Sequence, residues 1–501
     1  FELRNSSGTT IQTLTTGTDG KVKFENIRYG KYTVVETKAP NNYDLDSTPI
    51  PFEILENGKT IPYTKDNTPT PAPLKIVKTS EDGKIDGIKF HIYGTSNTGV
   101  KVDLTKTTDS NGVIDIEGIL LGTYTVEEID VPAQYIIPKA QTITVVKDKT
   151  NELNFRNVLK KGTVTTTKVD KDYPDNKLSG AEFTVFYADG KTYGKLVEGT
   201  GTKKGVYTLK NIPYGNYYLK ETKAPTGFVL DTKKYSFSIT KNGQVENIET
   251  EAGKGFVNTP IKGSVTVTKV DSEVTESFLS GAAFEIYKDA DGNDTLDKIK
   301  DTDMSVMTEI IGTDGKGTGK YTMTELRAGH YFLIETAAPV GHLKSDEIFR
   351  FDIVKDGEKA KVYYYELDDN ENLNKIYLPD ENKVPNKEIE GSITLRKMDS
   401  KTKKPLTGAE FTVYKDTDGD MQLSAADAEF GKLIESTTEK GMYSLGSVPY
   451  GKYLVKETKA PTGFVLNETV YSFTISNENE QAQLYYYQLD DNGNIVLGDN
   501  D

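Results

Sequence analysis

Apolar and polar positions alternate along most of the chain in short runs of four to eight residues, the period of β-strands with one face in a core. In "NYYLKETKAPTGF", residues 216–228, the alternation puts Tyr217, Leu219 and Glu221 on one face and Tyr218 and Lys220 on the other. The apolar face therefore carries a carboxylate inward. The pattern recurs five times, as "KYTVVETKAP", "TYTVEEIDVP", "NYYLKETKAP", "HYFLIETAAP" and "KYLVKETKAP", with the glutamates at Glu36, Glu128, Glu221, Glu335 and Glu457. A glycine-containing turn precedes each of these strands and a proline ends it.

The same parity test applies to a second set of strands. In "LKIVK", "VTTTK", "VTVTK" and "ITLRK" the apolar face ends in Lys78, Lys168, Lys269 and Lys397. Closing strands place an asparagine in phase with an aromatic residue: Phe155 with Asn157, Phe256 with Asn258, and Tyr63 with Asn67. Each well-formed repeat thus offers a lysine, a glutamate and an asparagine to one core.

The glutamate spacings are 92, 93, 114 and 122 residues, each the size of one small sandwich domain. They predict an all-β chain of five domains at residues 1–70, 71–160, 161–260, 261–388 and 389–501. The opening "FELR" matches the second strand of the later repeats, so the first domain is expected to be incomplete at its N-terminus. Links such as "NTPTPAP" and "NTPIKG" are short, which predicts end-to-end domains with little freedom.

Composition agrees with this reading. Tyr and Gly are plentiful and Trp and Cys are absent, so no disulfide staples the domains. A formal charge of -15, with no basic stripe, argues against nucleic acid. No apolar run approaches the ~20 residues of a membrane helix, and no signal peptide opens the chain, which reads as a mature piece of something larger.

Three readings account for the inward lysine, glutamate and asparagine. The lysine can snorkel from a strand end with the glutamate as its ion-pair partner. The three can form a polar network that fixes register. Or they can react: a neutral lysine amine attacks the asparagine carboxamide, ammonia leaves, and an amide remains. Burial favours the neutral amine, lowering a lysine pKa by as much as ~3–5 units. A buried carboxylic acid can polarise the amide and carry the proton to the leaving group. Such a reaction happens once per domain, so the chain is not expected to be a turnover enzyme.

"TTTKVD…LSGAEF…YYLKETKAPTGF…FVNTP" and "TVTKVD…LSGAAF…YFLIETAAP" resemble the B-type repeats of Gram-positive collagen adhesins and sortase-assembled pilins, and "YxLxETxAPxGF" resembles the pilin E-box. The resemblance covers essentially the whole chain. It implies five prealbumin-like, inverse-immunoglobulin β-sandwiches in tandem. It also implies Lys–Asn or Lys–Asp isopeptide bonds between first and last strands, assisted by the E-box glutamate. Carried over, domain two pairs Lys78 with Asn157 and Glu128, and domain three pairs Lys168 with Asn258 and Glu221. Domain one offers Glu36 and Asn67, its lysine lying upstream of Phe1. In domain four, Lys269 and Glu335 are assigned Asn382, with Asn386 the rival because it sits five residues before Gly391, as Asn258 does before Gly263. In domain five, Lys397 and Glu457 are assigned Asp501, with Asn500 the weaker choice. The implied role is the structural stalk of a cell-wall or pilus surface protein outside the bacterium. The alternatives are a calcium-dependent module binding a host matrix protein or glycan, and accessory domains of a secreted enzyme; other pilus subunits are further partners. No LPxTG signal is present.

Domains four and five carry acidic inserts. "DTDGDMQLSAAD" offers Asp416, Asp418, Asp420, the Gln422 carbonyl, Ser424 and Asp427 at the ligand positions of an EF-hand-type calcium loop, with Met421 replacing the usual glycine. "DADGNDTLDKIKD" offers Asp289, Asp291, Asn293 and Asp297, with Lys300 at position 12. Calcium is therefore an expected but not required cofactor of the last two domains. His91, His330 and His342 are scattered, and no P-loop, GxSxG or dinucleotide fingerprint occurs.

Overall fold

A computed structural model describes residues 1–486, 488–489 and 495–496 of the 501-residue chain. Among them, nearly all regular structure is β. Packing divides the chain into two bodies, one of Phe1–Val169, Asn176–Lys223 and Asp231–Val257, the other of Asp170–Asp175, Ala224–Leu230 and Asn258–Asp501. Domain three contributes to both.

Domains two to five are each two-sheet sandwiches. One sheet is centred on the opening strand: Pro71–Ser80, Lys161–Asp170, Lys262–Asp271 or Glu390–Arg396. The other is centred on the E-box strand and its antiparallel neighbour, as in Glu182–Tyr187 against Gly215–Lys223. Tyrosine, phenylalanine and branched aliphatic side chains from both inner faces fill the four cores. Domain one is a single four-stranded sheet of Glu2–Asn5, Thr10–Thr13, Gly30–Val35 and Ile50–Ile54.

Two registers position the polar side chains. Across the E-box sheet, Glu128, Glu221, Glu335 and Glu457 face Phe90, Phe183, Phe284 and Phe411, so each carboxyl shares the inner face with a phenylalanine. In the opposite sheet, the closing strand runs parallel to the opening strand. Phe155 pairs with Lys78 and Asn157 with Ser80; Val384 pairs with Lys269 and Asn386 with Asp271. The asparagine thereby lies one same-face step beyond the lysine, within side-chain reach.

The glycine near the start of the opening strand is fixed by a close approach. A Cβ on Gly263 would lie 2.7 Å from Ile353 Cδ1 and 2.8 Å from the Glu358 carbonyl, and Gly162 and Gly391 face the same collision. At every junction one linker residue is clamped to both neighbours by its own peptide groups. The N–H groups of Thr70, Lys160, Ile261 and Ile389 donate to the carbonyls of Asn42, Gln134, Gly227 and Gly341 at 2.8–2.9 Å. Their carbonyls accept from Leu121, Tyr214, Ala328 and Tyr450 of the next domain at 2.8–3.1 Å. The third junction adds the Arg327 guanidinium on Asp170 and Asp172. Domain four extends its E-box sheet with the hairpin Tyr363–Leu367 and Leu373–Tyr377, in which Tyr363 is buried.

Candidate functional site

In domain four, Lys269, Glu335 and Asn386 meet in the core, and none is more than 3 % exposed. Lys269 Nζ lies 3.2 Å from Glu335 Oε1 and donates in a short contact to Asn386 Oδ1. Asn386 Nδ2 donates to the same Glu335 oxygen at 2.9 Å. The Phe284 ring lies 5.8 Å from the amine. Burial among these groups brings the Lys269 amine down to about 8, against the pull of Glu335.

The expectation for Asn382 is corrected here. Asn382 follows a short turn with φ +52°, ahead of the strand Lys383–Asn386. Its amide is spent on the backbone, donating to Thr266 O at 2.8 Å and Ala360 O at 3.0 Å and accepting from Val362 N–H at 2.9 Å. It closes the sheet edge, and Asn386 stands at the amine.

Domain two brings together Lys78, Glu128 and Asn157. Lys78 Nζ lies 2.6 Å from Glu128 Oε2, and Asn157 Nδ2 donates to Glu128 Oε1 at 2.7 Å. Burial lowers the Lys78 pKa as well. In domain three, Lys168 Nζ lies 3.0 Å from Glu221 Oε1 and 4.3 Å from the Phe256 ring centre, and burial brings the amine down to about 8. Asn258 ends the strand Phe256–Asn258 and is buried, its carbonyl accepting from the Lys171 N–H at 3.0 Å.

Domain five brings Lys397 Nζ to 2.7 Å from Glu457 Oε1, with Lys397 less buried than its counterparts. Asp501 and Asn500 lie outside the described residues. In domain one Glu36 is buried and accepts from Asn67 Nδ2 at 3.3 Å.

The two acidic inserts fold alike. Asp416, Asp418 and Asp420 each bring a carboxylate oxygen within 4.8 Å of the other two, as do Asp289, Asp291 and Asp301. Asp427 spans its loop by accepting from Thr417 and Ser424 N–H groups, and Asp301 does the same with Ala290 and Asp297. Asp301 is thus the counterpart of Asp427, one residue past the Lys300 reached by counting forward. Counting back from the following strand would have found it. Asp297 ion-pairs with Lys300 at 3.2 Å and lies outside the aspartate group, and the Asn293 side chain accepts from Thr295 N–H as Asp420 does from Gln422 N–H. Gln422 donates its N–H to Asp420, and Ser424 Oγ accepts from Ala426.

The family described as SpaA, prealbumin-like fold domain, matches five times, at residues 1–69, 72–159, 162–254, 263–367 and 391–488. The chain belongs to this family. Its five prealbumin-like domains agree with the tandem all-β array expected from the repeats. Serine-aspartate repeat-containing protein D of Staphylococcus aureus (strain Newman) is 25% identical over 387 residues, covering 66% of this chain and 28% of its own length. Protein F of the same name series, from Staphylococcus epidermidis (strain ATCC 12228 / FDA PCI 1200), is 24% identical over 432 residues, covering 73% of this chain and 25% of its own. The SpaA-type chain therefore spans about a quarter of the length of these relatives. Among solved structures, the Bacillus anthracis TIE protein is 24% identical with a TM-score of 0.49, covering 77% of this chain and 66% of that one. BcpA, the major pilin subunit of Bacillus cereus, is 20% identical with a TM-score of 0.32, covering 68% and 98%.

Proposed function

We propose that the chain is a stalk segment of a Gram-positive bacterial surface protein whose domains are locked by self-formed Lys–Asn isopeptide bonds. The observation that carries this reading is the buried group Lys269, Glu335 and Asn386, with the amine against the carboxamide and one carboxyl oxygen shared by both. A plain ion pair needs no asparagine there, and a register-fixing network needs no lysine brought down to about 8.

The chemistry follows from the geometry. Neutral Nζ attacks Cγ of the asparagine, and a C–N bond forms. The glutamate takes the proton from Nζ and delivers one to Nδ2. The Cγ–Nδ2 bond breaks and ammonia leaves. Folding itself supplies the proximity that makes so sluggish an aminolysis proceed. The same assignment extends to Lys78 with Asn157 and Glu128, and to Lys168 with Asn258 and Glu221. The bond ties the first strand of a domain to its last, so pulling on the chain ends loads a covalent link, not a hydrogen-bonded ladder. Surface and pilus proteins outside the cell bear such loads without needing a disulfide.

Intact mass tests the reading directly. The chain is expected to be lighter than its sequence by one ammonia for each of domains two, three and four, and peptide mapping should recover the branched peptides. Glu335→Ala should abolish the loss in domain four alone. A mass equal to that of the sequence would overturn the proposal.

We further propose that the two acidic inserts take up calcium, since both converge three aspartate oxygens in loops of the same construction. Titration with calcium alone should show two sites, and Asp416→Asn with Asp418→Asn should remove one. The absence of any heat or thermal stabilisation at millimolar calcium would refute it.

A further inference from the structure

Resting on the cross-linking reading, a second set of contacts separates the domains. In four of the five, the E-box glutamate accepts from the backbone N–H ten residues later, always through Oε2. Asp46 donates to Glu36 at 3.3 Å, Asp231 to Glu221 at 2.9 Å, Ser345 to Glu335 at 2.7 Å and Asn467 to Glu457 at 2.8 Å. In domain two the tenth residue is Pro138, which has no N–H to give.

The consequence is visible at the reacting groups. In domain four the tethered Oε2 leaves Oε1 alone to serve both partners, and Lys269 Nζ reaches Asn386 Oδ1. In domain two both oxygens are free to engage side chains, and they do: Oε2 holds Lys78 Nζ while Oε1 holds Asn157 Nδ2. The amine is drawn onto the carboxyl, and buried Asn157 Oδ1 has no hydrogen-bond partner.

We infer that the backbone N–H ten residues after the glutamate is a positioning group for cross-linking, and that Pro138 leaves domain two without it. The tether occupies one carboxyl oxygen, so that in domain four the other lies beside both the amine and the carboxamide instead of the two oxygens holding them apart, as in domain two. A misplacement on the order of 1 Å can cost about a hundredfold in such a reaction, so domain two is expected to close about ten- to a hundredfold more slowly than domain four.

The test is a time course on the full chain made by cell-free translation, quenched in denaturant and digested, with the branched peptides of domains two and four quantified separately. Domain four should complete first. Pro138→Ala should accelerate domain two and leave domain four unchanged. Because the donor is backbone, Pro138→Val should do the same, an independence of side chain that a packing effect would not give. The reciprocal Ser345→Pro should slow domain four. Equal rates in the two domains, or no effect of either Pro138 variant while branched peptides still form, would overturn this inference and leave the cross-linking reading standing. Absence of branched peptide from every domain would overturn both.

Discussion

Domain four allows the proposed cross-link to be separated from ordinary hydrogen bonding by two asparagines four residues apart. Asn386→Ala removes the carboxamide that the proposal assigns to the reaction, and Asn382→Ala removes only the backbone clamp. Lys269 and Asn386 are separated by 117 residues in sequence. Closing a loop of that size restricts the unfolded chain by about 5 kcal/mol on the chain-entropy account used for disulfides. Asn386→Ala should forfeit this and the Glu335 contact, leaving a buried amine beside a single carboxyl. Asn382→Ala loses its contacts with Thr266, Ala360 and Val362, which costs about 1–3 kcal/mol for the polar groups left unpaired. Intact mass reports the chemistry, and hydrogen exchange on domain four peptides reports the local stability. Asn386→Ala should show one ammonia less of deficit against its own sequence mass and lose most of the protection of domain four. Asn382→Ala should keep the parent's full ammonia deficit, measured against its own sequence mass, and lose only part of the protection. If Asn386→Ala still sheds ammonia from domain four, the assignment is wrong; if Asn382→Ala fails to, the partner is Asn382 after all.

Three other outcomes follow from the same geometry. Because burial brings the Lys269 amine down to about 8, the neutral, attacking form grows as pH rises to that value. Domain four closure should therefore quicken by about tenfold per pH unit below about pH 8 and level off above it, and a pH-independent rate would contradict an amine nucleophile. At the last junction, Ile389→Pro removes the donor to Gly341 at a cost of about 1 kcal/mol; spin labels on domains four and five should show a broader distance distribution, and an unchanged one would mean the clamp does not hold the domains. Gly263→Ala would drive a Cβ into Ile353 and the Glu358 carbonyl, so domain four should lose about 1–3 kcal/mol, read by its thermal unfolding; a neutral result would mean that the strand shifts freely.

Much of the site was legible because alternation is a local property of the backbone. Lys78, Lys168, Lys269 and the five glutamates all sit where their strand parity puts them, buried at 6 % exposure or less. The phenylalanine beside each glutamate was also legible as a strand, though not as its cross-strand neighbour. What escaped was whatever depends on pairing between distant segments or on backbone donors. Asp301 was missed because the insert of domain four is one residue longer than that of domain five, and forward counting carried the difference to its end. The N–H groups that tether the glutamates leave no mark on residue type, except where Pro138 takes one away.

The sequence by itself determined the domain count, the sandwich class and the inward turn of the five glutamates and of Lys78, Lys168 and Lys269, since repeat spacing and a period of two need no tertiary information. Tyr63, by contrast, expected beside Asn67 on a closing strand, lies exposed outside any strand. The sequence could not choose between Asn382 and Asn386. They differ by four residues, an even number, so any argument from parity accepts both. Only the folded chain decides, by ending a turn at Asn382 and starting there a strand parallel to one that lies over a hundred residues earlier, in a register that sets Asn386 opposite Asp271 and within reach of Lys269. That register is fixed by loop lengths and core packing across the whole domain, and its one local trace is the five-residue step from Asn386 to Gly391 that Asn258 and Gly263 share.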